Sequence, residues 1–265
     1  MMLIDEFLDI PSELKSDRVI AKEKLFSKGS LNTNDKRYFQ DYVKQIRWYA
    51  RLAEDNIHII PYNDKTRRYN EVEIITIILK DENLKELTER NKVNNAFFVQ
   101  DKKLDRILDI LFRFITYPQI IVLQYKNMIK LCVAHVTINQ SDSSKFALDE
   151  IISTNWMNVN ILDEFEISLR NDIQFENLNH ENFYKFYSDI VDSIIRYNGS
   201  LMAGQKIELP ADEIKRTTDR IEKLEKEIKI LKSDLKKETQ HPLRSKINNE
   251  IRNRRLELKD LKEGL

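Results

Sequence analysis

Cysteine is nearly missing from this sequence: its 265 residues contain one, Cys132, within "MIKLCVAHV". One thiol cannot close an internal disulfide, so the chain fits a reducing compartment. Set in an apolar strand without a reactive-cysteine signature, Cys132 reads as packing and not as a nucleophile. Glycine (4) and proline (5) are scarce too, which favours regular elements over long loops. So few glycines leave no phosphate-cradling loop of either common pattern. The 4 histidines, His58, His135, His180 and His241, never fall at i,i+4 on a helix, which removes the common zinc motifs. His135, in the same apolar strand as Cys132, reads as a core residue, and no pattern asks for a cofactor. No run of about 18 apolar residues occurs, so no membrane span is expected. The opening "MMLIDEFLDIPSEL" has acids where a secretory leader needs bases, and a cytoplasmic setting is expected.

What is present is charge and periodicity. Hydrophobic residues make up 41% and charged ones 33%, enough for a core under a heavily charged surface. The formal net charge is zero, which excludes a protein that is basic throughout. The charge is unevenly spread, however. From Ala211 onward 16 Lys/Arg face 12 Asp/Glu, and before it 28 face 32, so the tail is mildly basic.

Along the body, "RVIAKEKLF" suggests a short strand, and "NTNDKRYFQDYVKQIRWYARLAED" predicts one long helix. Phe39, Val43, Ile46 and Ala50 share a face of it, with a cap at Thr33 or Asn34. "VEIITIILK" is β-branched and apolar on both faces, the pattern of a central strand covered on two sides. "NAFFVQ" is a shorter strand candidate. "KKLDRILDILFRFI" has helical spacing, and "QIIVLQY" and "MIKLCVAHVTI" form a hairpin about Lys126-Asn127. Another strand is expected near Trp156, and "HENFYKFYSDIVDSIIRYN" is an amphipathic helix. Gly199, Gly204 and Pro210 mark a linker. The expected organisation is an α+β body over 1–198, with a mixed or antiparallel sheet and flanking helices. A linker at 199–210 and a helical tail at 211–265 follow.

In the tail, Ile214, Ile221, Leu224, Ile228, Leu231 and Leu235 form a heptad seam, and Ile247, Ile251, Arg254, Leu258 and Leu261 form a second. Pro242 sits between them and suits the first turn of a new helix. Two helices, about 213–239 and 243–262, folded into an antiparallel hairpin, are preferred over one continuous zipper joining two copies of the chain. A homodimer stays open. Arg252, Arg254, Arg255 and Lys259 make the second helix basic and are candidates for nucleic-acid phosphates. Acids alternate with them, though, and no aromatics are placed to stack bases.

A metal-dependent nuclease would need carboxylates on a central strand near a lysine. Glu71 and Glu73, with Lys80, lie in "EVEIITIILK"; Asp101 and Lys103 follow "FFVQ". These are the candidate catalytic residues, although acidic-x-Lys triplets arise by chance in so lysine-rich a chain.

The order of blocks carries a resemblance. "DIPSELKSDRVIAKEKLF", "YFQDYVKQIRWYARLAEDNIHI", "EVEIITIILK", "YPQIIVL" with "KLCVAHV", "SDSSKFALDEIISTNWM" and the heptad tail together resemble the bacterial family called domain of unknown function 4391. Ala21-Lys22 stands where that family has isoleucine-proline-lysine, and His135-Val136 replaces an aromatic-lysine pair. "ENLKELTERNKVNNAFFVQ" is an insertion relative to it. The resemblance implies an accessory role in restriction-like, phage-defence loci, beside helicases and DNA methyltransferases. The expected function is a non-enzymatic interaction subunit docking on a helicase, methyltransferase or nuclease. The alternatives are a degenerate metal-dependent nuclease and a DNA-binding module using the basic second helix.

Overall fold

The computed structural model describes residues 3–28, 31–80, 102–138 and 146–265. The chain divides into two compact units, Met1–Ile194 and Ile195–Leu265.

The first unit is built on a seven-stranded mixed sheet with strand order β1-β2-β5-β6-β7-β10, to which β11 adds by pairing with β7. The strands are β1 (Lys15–Ile20), β2 (Val43–Ala53), β5 (Glu71–Leu79), β6 (Gln119–Tyr125), β7 (Met128–Val133), β10 (Ile152–Ser153) and β11 (Met157–Asn158). All neighbours run antiparallel except β5 and β6, which are parallel. A parallel pair requires a crossover, and helix α4 (Lys102–Phe114) lies within it. Two small ribbons stand apart, β3 (Tyr62–Asn63) with β4 (Arg68–Tyr69), and β8 (Val136–Ile138) with β9 (Phe146–Leu148).

The reading of β5 as a central strand holds. It lies between β2 and β6, and Val72, Ile74, Ile75 and Ile77 are fully buried. Each such side chain contributes about 1.5–3 kcal/mol. Its odd-numbered residues Ile75, Ile77 and Leu79 pack with α1 (Lys22–Lys28), α2 (Thr33–Tyr42) and α4 through Leu25, Phe39, Leu104, Ile107 and Leu111. Asn32 caps α2 by accepting from the Asp35 amide at 2.9 Å. Asp35 in turn accepts from Arg106 at 2.9 and 3.0 Å, which ties α2 to α4. The short helices α3 (Glu54–Ile57) and α5 (Glu164–Asp172) and the start of α6 (Phe183–Ala203) complete this unit. The hydroxyl of buried Tyr187 donates to the Gln119 carbonyl at 2.8 Å and accepts from the Ala134 amide at 3.0 Å, anchoring α6 to the ends of β6 and β7.

The long helix expected over 32–55 ends at Tyr42, its cap is Asn32 in place of Thr33 or Asn34, and Val43–Ala53 is strand β2. Register shifts at Val43/Gln45 and Trp48/Ala50 break the alternation of this strand. Its buried residues therefore fall at Val43, Ile46, Tyr49, Ala50, Leu52 and Ala53, and the steps of three and four from Val43 to Ala50 imitate a helix. The candidate strand "NAFFVQ" and residues 139–145 lie outside the described residues.

In the second unit, residues 195–203 are the end of α6, so the expected linker 199–210 begins inside a helix. Gly204, at φ 71°, ends it. Helices α7 (Ala211–Lys237) and α8 (His241–Glu263) then form the antiparallel hairpin, with Pro242 in the first turn of α8. Ile214, Ile221, Leu224, Ile228 and Ile251 are its buried seam. At the turn, Arg244 donates to the carbonyls of Leu235 and Glu238 at 2.9 and 2.7 Å, satisfying the open end of α7.

Candidate functional site

Glu71 and Glu73 lie two apart on β5 and so share a face of the sheet. Glu73 is fully buried. Its Oε2 accepts from the Trp48 indole of β2, while Oε1 meets no donor. Gln119, paired with Glu73 across β5 and β6, gives its Nε2 to the α4-end carbonyls of Leu111, Phe112 and Ile115. Its Oε1 is buried without a donor as well. Glu71 is gripped by Arg51, whose Nη2 and Nε lie 2.6 and 2.7 Å from Oε2, and Arg51 also reaches Asp55 at 3.3 Å. Burial, and then the Glu71 carboxylate beside it, push the Glu73 carboxyl up to about 8, against the weaker pull of Trp48 and Arg51. With its affinity for a proton raised so far, Glu73 holds that proton near neutral pH and shares it with the neighbouring Glu71 carboxylate. The pair is therefore a neutral acid beside an arginine-paired carboxylate, inside the sheet layer.

The other candidates do not join it. Asp101 lies outside the described residues. Lys103, on the first turn of α4, sits over the Tyr42 ring at 5.2 Å. Tyr42 adjoins the far end of β5, where its carbonyl accepts from the Lys80 amide at 2.9 Å. Six residues of strand, about 20 Å, separate that end from Glu73. Lys80 itself donates to the Gln40 carbonyl at 2.6 Å. Among the described residues no group of three or more His, Cys, Asp or Glu is placed to hold a metal ion.

On the hairpin, Arg254 is consumed by the seam. Its Nε lies 2.8 Å from Glu227 and its Nη1 3.8 Å from Glu257, and Glu257 also takes Arg220 of α7. Lys259 pairs with Glu263 at 3.5 Å. Arg252 and Arg255 are exposed.

A cluster that sequence reasoning missed surrounds His135. Its Nδ1 is hydrogen-bonded to the Tyr69 hydroxyl at 2.6 Å, and that oxygen also accepts from the Val136 amide at 3.3 Å. The rings of Tyr184 and Tyr187 lie 5.7 and 5.5 Å from the imidazole, and the Arg67 guanidinium stacks on Tyr184 at 5.1 Å. These residues come from three separated segments, so no local pattern announces them. Cys132 is fully buried, and burial pushes its thiol up to about 12, which leaves it unreactive.

The family model described as domain of unknown function (DUF4391) matches residues 8–258, nearly the whole chain. The chain belongs to this family. No curated protein and no solved structure matches it. In this DUF4391 chain, Lys22, the lysine of the early block, opens α1 and turns its ammonium onto the end of α2. It donates to the Phe39 carbonyl at 3.3 Å and to that of Val43. Burial, and then Lys80, lower its affinity for a proton. Its contacts are those of a helix cap. Position 136, where the resemblance puts a second lysine, is the buried Val136 of β8.

Proposed function

We propose that this chain is a non-enzymatic interaction subunit of a DNA-processing assembly, docking on a helicase, DNA methyltransferase or nuclease. The observation that carries this reading is the state of the Glu71–Glu73 pair. A metal-dependent nuclease needs ionised carboxylates facing a space that admits a cation and a phosphodiester. Glu73 is instead buried at 0% exposure and bonded to Trp48, and Glu71 is neutralised by Arg51. These groups hold β2 and β5 together, which is structural work. The setting is what the resemblance implies, and exposed apolar side chains on both units, Ile60 and Ile161 on the body and Ile230 and Leu256 on the hairpin, offer contact points.

The test is affinity purification of the tagged chain, expressed at native level in its own host. Stoichiometric recovery of a helicase, methyltransferase or nuclease is expected, reduced several-fold by Ile161→Asp or Leu256→Asp. Manganese-dependent cleavage of DNA by the purified chain, abolished by Glu73→Gln, would replace this reading with the nuclease one.

A further inference from the structure

The two sides of the hairpin differ in how their charges are spent. Along α7 the seam residues Ile221, Leu224 and Ile228 set the inward direction, and along α8 Ile251 does. At 100° per residue, Lys229, Lys232 and Lys236 fall on one flank of α7 at i, i+3 and i+7. Arg252, Arg255 and Lys259 fall on the flank of α8 in the same rotational sense. In an antiparallel pair those two flanks lie on one side of the hairpin. The Lys262–Glu225 bridge of 2.9 Å, between residues of these flanks, closes across that side. The opposite side holds the Arg220–Glu257 and Arg254–Glu227 bridges.

Acids on the first side are few and engaged. Glu225 takes Lys262, Glu222 takes Lys226 at 3.4 Å and Glu263 takes Lys259 at 3.5 Å. Lys229, Lys232, Lys236, Arg252 and Arg255 are all exposed, and none of the five enters an ion pair among the described residues. Lys236, in the last turn of α7, complements the negative helix end; the other four are not explained that way. Ser245 and Asn248 of α8 occupy neighbouring positions as neutral donors. The tail's basic excess thus gathers on one strip instead of cancelling along the helices.

We infer that this strip binds the phosphate backbone of duplex nucleic acid. Lys229 to Lys236 spans about 10 Å of helix axis, the rise of roughly three phosphates of one strand. The strip carries no aromatic to stack an unpaired base, so the match is to a backbone and not to single-strand bases. The sequence alone put this role on Arg252, Arg254, Arg255 and Lys259. The ion pairs remove Arg254 and Lys259, and the geometry brings in three lysines of α7. The inference stands independently of protein docking, because it concerns a different surface and a different class of partner.

The experiment is fluorescence anisotropy of a labelled 20-bp duplex with the full chain, from 50 to 300 mM salt. Four to five neutralised phosphates give a log–log salt slope of about −4. Changing Lys229, Lys232, Arg252 and Arg255 together to Ala is expected to flatten that slope to about −1 or less and weaken binding at 50 mM at least tenfold. The charge-matched control changes Lys206, Lys223, Lys237 and Lys246 to Ala, off the strip, and is expected to keep most of the slope. Far-UV dichroism confirms that both variants retain the hairpin. No binding at 50 mM, or equal loss in both variants, overturns the inference. So does tighter binding of labelled polyglutamate than of the duplex at equal salt, which would assign the strip to an acidic protein.

Discussion

At the scale of single residues, the proton on Glu73 is what allows a carboxyl to sit on a strand with no exposed surface. Its ordinary value of 4.5 moves to about 8 because burial penalises the anion and Glu71 repels it. Between those values the folded chain holds a proton that the unfolded chain has released. Stability from this group is therefore full below about pH 4.5 and is lost as pH rises towards 8. The loss is up to about 1.4 kcal/mol per pH unit. Glu73→Gln keeps an acceptor for Trp48 and supplies permanent N–H donors, so it should flatten this dependence and be the more stable form at pH 8. Urea unfolding followed by tryptophan fluorescence at pH 5, 6.5 and 8 measures both chains. Wild-type stability that stays level across that window would refute the protonated state. The same carboxyl explains why the site was only half legible. Sequence position named Glu71 and Glu73 and put them on the central strand, but the partners that neutralise them, Trp48 and Arg51, sit on a stretch whose spacing reads as a helix.

Secondary elements were legible where one period dominated and misread where two coincided. The α4 run, the β6–β7 hairpin with its turn at Lys126, and the break at Pro242 each follow from local chemistry, and all stand in the structure. Strand β2 does not, because its bulges turn a two-residue alternation into steps of three and four, and pairing with both β1 and β5 decides the matter. Gly199 shows the same limit from the other side. As a sequence signal it marks a linker, yet it lies within α6, where a Cβ would sit 2.5 Å from Ile214 Cγ2 and 3.4 Å from Ile207. Its job is close helix approach. Alanine there gains about 1 kcal/mol of helix propensity but incurs about 1–3 kcal/mol of overpacking. Gly199→Ala should therefore lower the stability of the second unit, by up to about 2 kcal/mol, read from the urea midpoint of the 222 nm signal. Pairing it with Ile214→Ala, which removes the clashing atom, should give a loss smaller than the sum of the two single changes. Strict additivity would mean that the glycine is not there to make room.

At the scale of the whole molecule, the division at Ile194 and Ile195 assigns the two kinds of optical probe unequally. Both tryptophans of the chain, Trp48 and Trp156, belong to the first unit, whereas α7 and α8 contribute 27 and 23 helical residues to the second. Tryptophan fluorescence thus reports the sheet unit alone, whereas 222 nm dichroism sums the helices of both units and so also follows the hairpin. Leu224 is fully buried in the hairpin seam, and its truncation to alanine should cost about 2–5 kcal/mol there. If each unit is held by its own core, Leu224→Ala shifts the dichroism midpoint in urea and leaves the fluorescence midpoint where it was. A seam narrow enough to depend on so few buried residues makes the hairpin the less stable of the two, so its transition should come first in the wild type as well. Coincident shifts in both signals would show that α6, whose residues enter both units, transmits the loss and that the chain unfolds as one.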